Sequence, residues 1–197
     1  MSFDLQPTLF TPRQAEQITG IRMARQRDLR RHGYLPQHEG HAKFSAVDLA
    51  EMLVLAAMMR RGIGPSDAIQ IAKISAVGIV LHALADPAAF EGMDKADWTV
   101  PGEQPSTAKA EWLARDFANA QARKGDHRWR VLPGNFLIIF ADGSEIWHHS
   151  VDEAFRKFPP TDRRRTGAIT VIDLAAMGKQ MLRKSQLPLV TVIAREN

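Results

Sequence analysis

Over residues 9–85 the apolar positions are spaced for helices. From His127 onward they alternate or run in short blocks bounded by turn residues, which is the spacing of strands. Thr11-Pro12 followed by Gln14 has the chemistry of a helix start. The threonine hydroxyl caps an orphan N–H, proline loses nothing at the first helical position, and glutamine reaches back to the cap. That helix ends at Gly20, and a second, Arg22–His32, closes on Gly33, a residue suited to a left-handed C-terminal cap. Two short helices joined through a glycine turn have the outline of a helix-turn-helix. Ser45-x-x-Asp48 starts a third helix, Val47–Arg61, which is apolar nearly all round and therefore expected to be covered on more than one side. Gly64-Pro65-Ser66-Asp67 opens a fourth. The almost wholly apolar run Ala76–Ala85 either extends that helix or forms a fifth.

Gly92–Ser106, rich in Pro, Gly and acids, reads as a linker, and a helix follows over Thr107–Lys124 until Gly125 stops it. Strands are expected at His127–Leu132, Phe136–Phe140 and Glu145–His148, the last two joined by a hairpin turn at Asp142-Gly143. Ser150-x-x-Glu153 caps a short helix that ends at Pro159-Pro160. A strand over Ala168–Ile172, a helix over Leu174–Ser185 and a strand over Leu189–Ile193 complete the pattern.

Composition narrows the function classes. With 197 residues, 45% hydrophobic and 24% charged, the chain can bury a substantial core and is ordinary for a globular protein. The nearly uncharged run Met52–Met59 is too short to span a bilayer, and the first residues, MSFDLQPT, have no basic head or apolar stretch. No membrane partner is expected. The absence of cysteine excludes disulfides, thiolate metal sites and thiol redox switching, and fits a cytoplasmic location. A net charge of +4 suits a nucleic-acid partner only mildly. Its distribution says more. The second helix holds Arg22, Arg25, Arg27, Arg30 and Arg31 against a single acid, Asp28, and phosphate is the natural ligand of such a helix.

The segment from Gly20 to Leu49 resembles the DNA-binding half of the MerR family of winged-helix regulators. The family's glycine, helix and second glycine fall on Gly20, on Gln26-Arg27-Asp28-Leu29-Arg30 and on Gly33-Tyr34-Leu35, with no insertion between the glycines. Its wing and exit fall on Ala42-Lys43-Phe44-Ser45-Ala46-Val47-Asp48-Leu49. Asp28 and Leu29 stand where the family has aromatics that touch the DNA backbone, and Ala42 where it has a wing arginine. The resemblance covers roughly residues 8–75; with the strand and helix pattern that follows it, the chain reads as an α+β protein of three regions. Residues 1–75 would be a mostly α winged helix-turn-helix whose wing lies at Pro36–His41. Residues 76–125 would be a helical connector and dimerisation region, whose apolar stretch Ala76–Ala85 either pairs with a second chain, as in the family, or tucks against this chain's own C-terminal domain. Residues 126–197 would be a small α+β domain with a mixed sheet and a sensing or assembly role, including a small-molecule or protein effector.

The expected DNA contacts are Arg22, Arg25 and Gln26 near the helix N-terminus, Arg27, Arg30 and Arg31 behind them, and His41 and Lys43 from the wing. The implied function is a homodimeric transcriptional regulator binding an inverted repeat in double-stranded DNA. An excisionase-like or DNA-packaging adaptor uses the same winged helix and is the alternative.

Other chemistry is weakly signalled. His148-His149 with Asp152 has metal-ligand residue types, but adjacent strand residues face opposite sides, so no metal is expected there. Arg163-Arg164-Arg165 reads as a solvated basic loop. Trp98, Trp112, Trp129 and Trp147 with Phe136 and Phe140 line either a ligand pocket or, more ordinarily, a core. No phosphate-cradling glycine loop, nucleophile elbow or paired-carboxylate spacing occurs, so neither enzyme activity nor a cofactor is expected.

Overall fold

A computed structural model describes residues 3–37, 41–92 and 134–194. The protein is an α+β fold, as expected, and its described elements begin with strand β1 (Phe3–Pro7). Helix α1 (Pro12–Thr19) follows, built as its sequence requires. The Thr11 hydroxyl accepts the Gln14 N–H, the Gln14 carboxamide oxygen accepts the Thr11 N–H at 2.8 Å, and Gly20 closes the helix at φ 78°. Helix α2 (Met23–Arg31) ends in a paired closure: the Gly33 N–H donates to Arg30 O and the Tyr34 N–H to Leu29 O. Gly33 sits at φ +76°, where a side chain would be strained.

Helices α3 (Ala46–Arg60) and α4 (Pro65–Leu84) pack side by side and form the centre of the molecule. Ser45 and Asp48 cap α3 reciprocally, and eleven of its fifteen residues are buried, so the all-round apolar pattern is matched by all-round cover. Ala76–Ala85 proves to be a continuation of the fourth helix: α4 runs unbroken across residue 75, where the first domain was expected to end. By length and composition α4 could cross a membrane, but most of it is buried within the protein.

A short strand β2 (Phe90–Glu91) follows a 3-10 turn at Pro87–Ala89. Strands β3 (Phe136–Ile139), β4 (Glu145–His148) and β5 (Thr170–Asp173) make an antiparallel sheet in the order β4-β3-β5. Helix α5 (Val151–Arg156) lies between β4 and β5 in sequence; helix α6 (Leu174–Ser185) leads to strand β6 (Val190–Ala194).

The mixed sheet lies elsewhere than expected. It joins the two ends of the chain, with β6 between antiparallel β1 and parallel β2. Leu189 is tied in from both sides, its carbonyl accepting from Thr8 N and its N–H donating to Ala89 O. One hydrophobic cluster extends from Phe10 through α3 and α4 to Leu137, Leu174 and Val190, so it draws on residues from both halves. A second, smaller cluster gathers Ile138, Phe140 and Ala154 with Phe155 and Phe158.

Two expected elements, the helix at Thr107–Lys124 and the strand at His127–Leu132, lie outside the described residues. So do residues 93–106 of the linker, residues 38–40 of the wing, and Trp98, Trp112 and Trp129. Trp147 packs over Gly78 of α4, and Phe140 meets Phe155 and Phe158 edge-on, so these rings fill core space.

Candidate nucleic-acid interface

The basic surface is assembled by a chain of local bonds between α1 and α2. Thr19 donates its hydroxyl to Ala15 O at 2.7 Å and accepts the Ile21 N–H at 3.2 Å, which fixes the turn around Gly20. Arg22 occupies the cap of α2 but supplies no capping side chain. Glu16 does so instead, its Oε2 accepting the Met23 N–H at 3.1 Å. A carboxylate at this end also complements the positive pole of the helix.

Gln26 is the pin. It is fully buried, and its Nε2 donates both to Pro12 O at 2.9 Å and to Ile21 O at 2.8 Å. It shares the inner face of α2 with Leu29, three residues on, and binds protein backbone rather than projecting outward as the sequence suggests. Gln26→Ala deletes two buried hydrogen bonds and opens a gap between α1 and α2, with a cost of about 2–4 kcal/mol. Thermal unfolding should show this as a drop of at least several degrees; an unchanged transition would mean that the pin holds nothing.

With Gln26 turned inward, Arg22, Arg25, Arg27 and Arg31 are exposed and Arg30 is half-buried. Arg27 and Arg31 share an outward stripe with Met23. Arg31 spends part of its charge on Asp28 at 3.1 Å, an exposed pair of small energetic weight. Arg25, two residues before Arg27, points to another side of the helix and reaches α3, its Nη2 lying 3.9 Å from the Met59 sulfur. Arg30 has a buried Nε with no partner, and its carbonyl accepts from Gln37 Nε2.

Phe10 and Phe44 form a two-way backbone bridge, each N–H donating to the other's carbonyl at 2.8 Å. The chain alternates through it: His41 and Lys43 are exposed, and Ala42 and Phe44 are buried. Two exposed side chains of the α1–α2 pair escape the sequence pattern, Arg13 in the first turn of α1 and Met23 at the start of α2. Both face outward at helix starts, a position the hydrophobic pattern of so short a helix does not resolve.

The arginine-rich loop behaves differently from the expected solvated segment. Arg164 grips Asp162 with two bonds of 2.8 and 2.6 Å and lies 3.7 Å above the Phe158 ring. Arg165 donates to Phe158 O at 3.0 Å and sits over Phe155. Only Arg163 is strongly exposed, and it pairs loosely with Asp142 at 3.6 Å. The hydrogen bonds from Arg164 pull the Asp162 carboxyl down to about 2 from the usual 3.8. Because the folded value lies below the unfolded one, the pairing is at full strength above about pH 3.8 and is lost as pH falls toward 2. A carboxyl-detected NMR titration should place the Asp162 midpoint near 2, and Arg164→Ala should return it to the ordinary carboxylate range.

His148 Nδ1 accepts the Ser150 N–H at 3.1 Å, helping to start α5, while His149 is exposed. No group of three potential metal ligands occurs among the described residues. In comparisons with known proteins, no family model matched the chain, and neither a curated relative nor a similar solved structure was found.

Proposed function

We propose that this chain is a sequence-specific, double-stranded-DNA-binding transcriptional regulator of MerR-like winged helix-turn-helix type, acting as a homodimer on an inverted repeat. The observation that carries the reading is the exposed arginine face of α2, held in place from behind by buried Gln26. On this reading α2 lies in the major groove, and Arg22, Arg25, Arg27, Arg30 and Arg31 set affinity and register on phosphates. On the same reading His41 and Lys43, both exposed just ahead of Phe44 in the Phe10–Phe44 bridge, take the wing's place. Dimerisation follows from size, since one such unit covers a single half-site and pairing supplies the second.

One observation favours the adaptor reading, in which the protein tethers or bends DNA without switching a promoter. β1 pairs with β6 and the main hydrophobic cluster spans both halves, so the described C-terminal part is built into the same core as the arginine face. Selecting bound duplexes from a random-sequence pool, then footprinting the winners and weighing the protein by light scattering, tests both. A palindromic site held by two chains supports the regulator. A monomer on a site without symmetry supports the adaptor, and failure to retain any duplex removes both.

A further inference from the structure

Met23 is an anomaly of the basic face. It is 46% exposed, one of the few large apolar side chains among the described residues to be so, yet it stands at the first position of α2 between Arg22 and Arg27. Ala24 beside it is also exposed. At 3.6 residues per turn, Met23, Arg27 and Arg31 form one outward row, with Ala24 adjoining its leading end. The outer surface of the helix thus begins with an apolar window and continues as guanidinium groups. Packing does not account for Met23, because the inner face of α2 is formed by Gln26 and Leu29. Its N–H is fixed by Glu16 at 3.1 Å, so the window is held at a set height on the helix.

The major groove presents one apolar group, the 5-methyl of thymine, and it sits among phosphates that guanidinium groups hold. We infer that Met23, with Ala24, is a specificity-determining contact to a thymine methyl group in the major groove. This inference rests on the DNA-binding reading and adds to it a base that is read without a hydrogen bond. Arg22 and Arg27, on either side, place the window by contacting phosphate, and the methionine thioether chain adapts to the methyl and excludes water from it.

The test replaces thymine by uracil, one position at a time, in a duplex selected by the full chain from a random-sequence pool. The substitution removes the methyl and leaves every hydrogen-bonding edge intact. At one position per half-site the wild-type dissociation constant should rise about fourfold, the equivalent of ~0.8 kcal/mol for one buried methyl. Met23→Ala should bind the thymine and uracil duplexes equally, with an unchanged salt dependence and unchanged thermal unfolding. Met23→Leu, which keeps an apolar side chain, should retain most of the discrimination. A selected duplex that binds tightly but is indifferent to every uracil substitution would overturn the inference and leave the DNA-binding reading intact. So would discrimination that survives in Met23→Ala. Failure of the chain to retain any duplex would remove both.

Discussion

Replacing Arg25 and Arg27 together by alanine should weaken binding to every duplex, specific or not, by roughly 60-fold at about 0.1 M salt. The figure follows from counterion release: each phosphate held by an arginine contributes a slope of about 0.9 in log affinity against log salt, or about eightfold per decade of salt. With both guanidinium groups gone, the measured slope should fall by about 1.8. Both side chains are exposed, so the fold should survive with stability unchanged to within about 0.5 kcal/mol. Arg31→Ala should do less, because Arg31 already shares its charge with Asp28. Arg163→Ala should leave the slope unchanged, since that side chain belongs to a different loop. The measurement is a set of gel-shift titrations across salt. An unaltered slope in the double variant would exclude α2 as the phosphate-binding surface.

The second large effect lies in the core. Gly178 faces the backbone of α4 across the helix crossing: a Cβ there would stand 2.7 Å from Ile79 O and 2.9 Å from Ala83 N. Two tendencies compete when alanine replaces it. Helix propensity alone would stabilise α6 by about 1 kcal/mol. The clash is with backbone, which cannot swing aside, and overpacking of this kind costs about 1–3 kcal/mol or more. The clash should win. A net loss of about 2 kcal/mol in a chain of this size lowers the melting temperature by roughly 4–8 °C. Gly178→Val should be worse, and Lys179→Ala, exposed on the same helix, should move the transition little. A melting temperature that rises in Gly178→Ala would mean that α4 and α6 part more easily than so close an approach allows.

The elements legible in the sequence are those whose ends are written in side-chain chemistry. Thr11 with Gln14 and Ser45 with Asp48 announce α1 and α3, and both capping pairs form. Leu174–Ser185 is readable to the residue because it is strongly amphipathic and follows a strand. The strands of the β4-β3-β5 sheet are legible from their turn, though β5 begins two residues later than its β-branched run, at Thr170. β1 is not legible. Its sequence, FDLQP, carries an aspartate and a proline and shows no alternation long enough to count; its partner lies at the other end of the chain. β2 has two residues and no local signature at all.

In the candidate site, the arginines stand out because charge of one sign on a short helix is visible in any register. Gln26 is misassigned from sequence because a polar residue on a basic helix invites an outward reading. The signal against it is present, since Gln26 and Leu29 lie three apart and therefore on one side of the helix. What the sequence does not supply is the pair of carbonyls, Pro12 O and Ile21 O, that take the carboxamide's two N–H groups, while its Oε1 is buried without a partner.

The antiparallel pairing of Phe3–Pro7 with Val190–Ala194 has a consequence for how the protein is made. The caps and hydrogen bonds that join α1 to α2 are local, although α1 also packs on α3 and on α6, and β1 leaves the ribosome long before its partner exists. At about 5–20 residues per second, a separation of roughly 190 residues means a wait of about 10–40 seconds. During that time an unpaired strand precedes the arginine helix on a growing chain. Closure of β1 onto β6 is thus a late step, and β1 would be open to proteases and chaperones until it occurs.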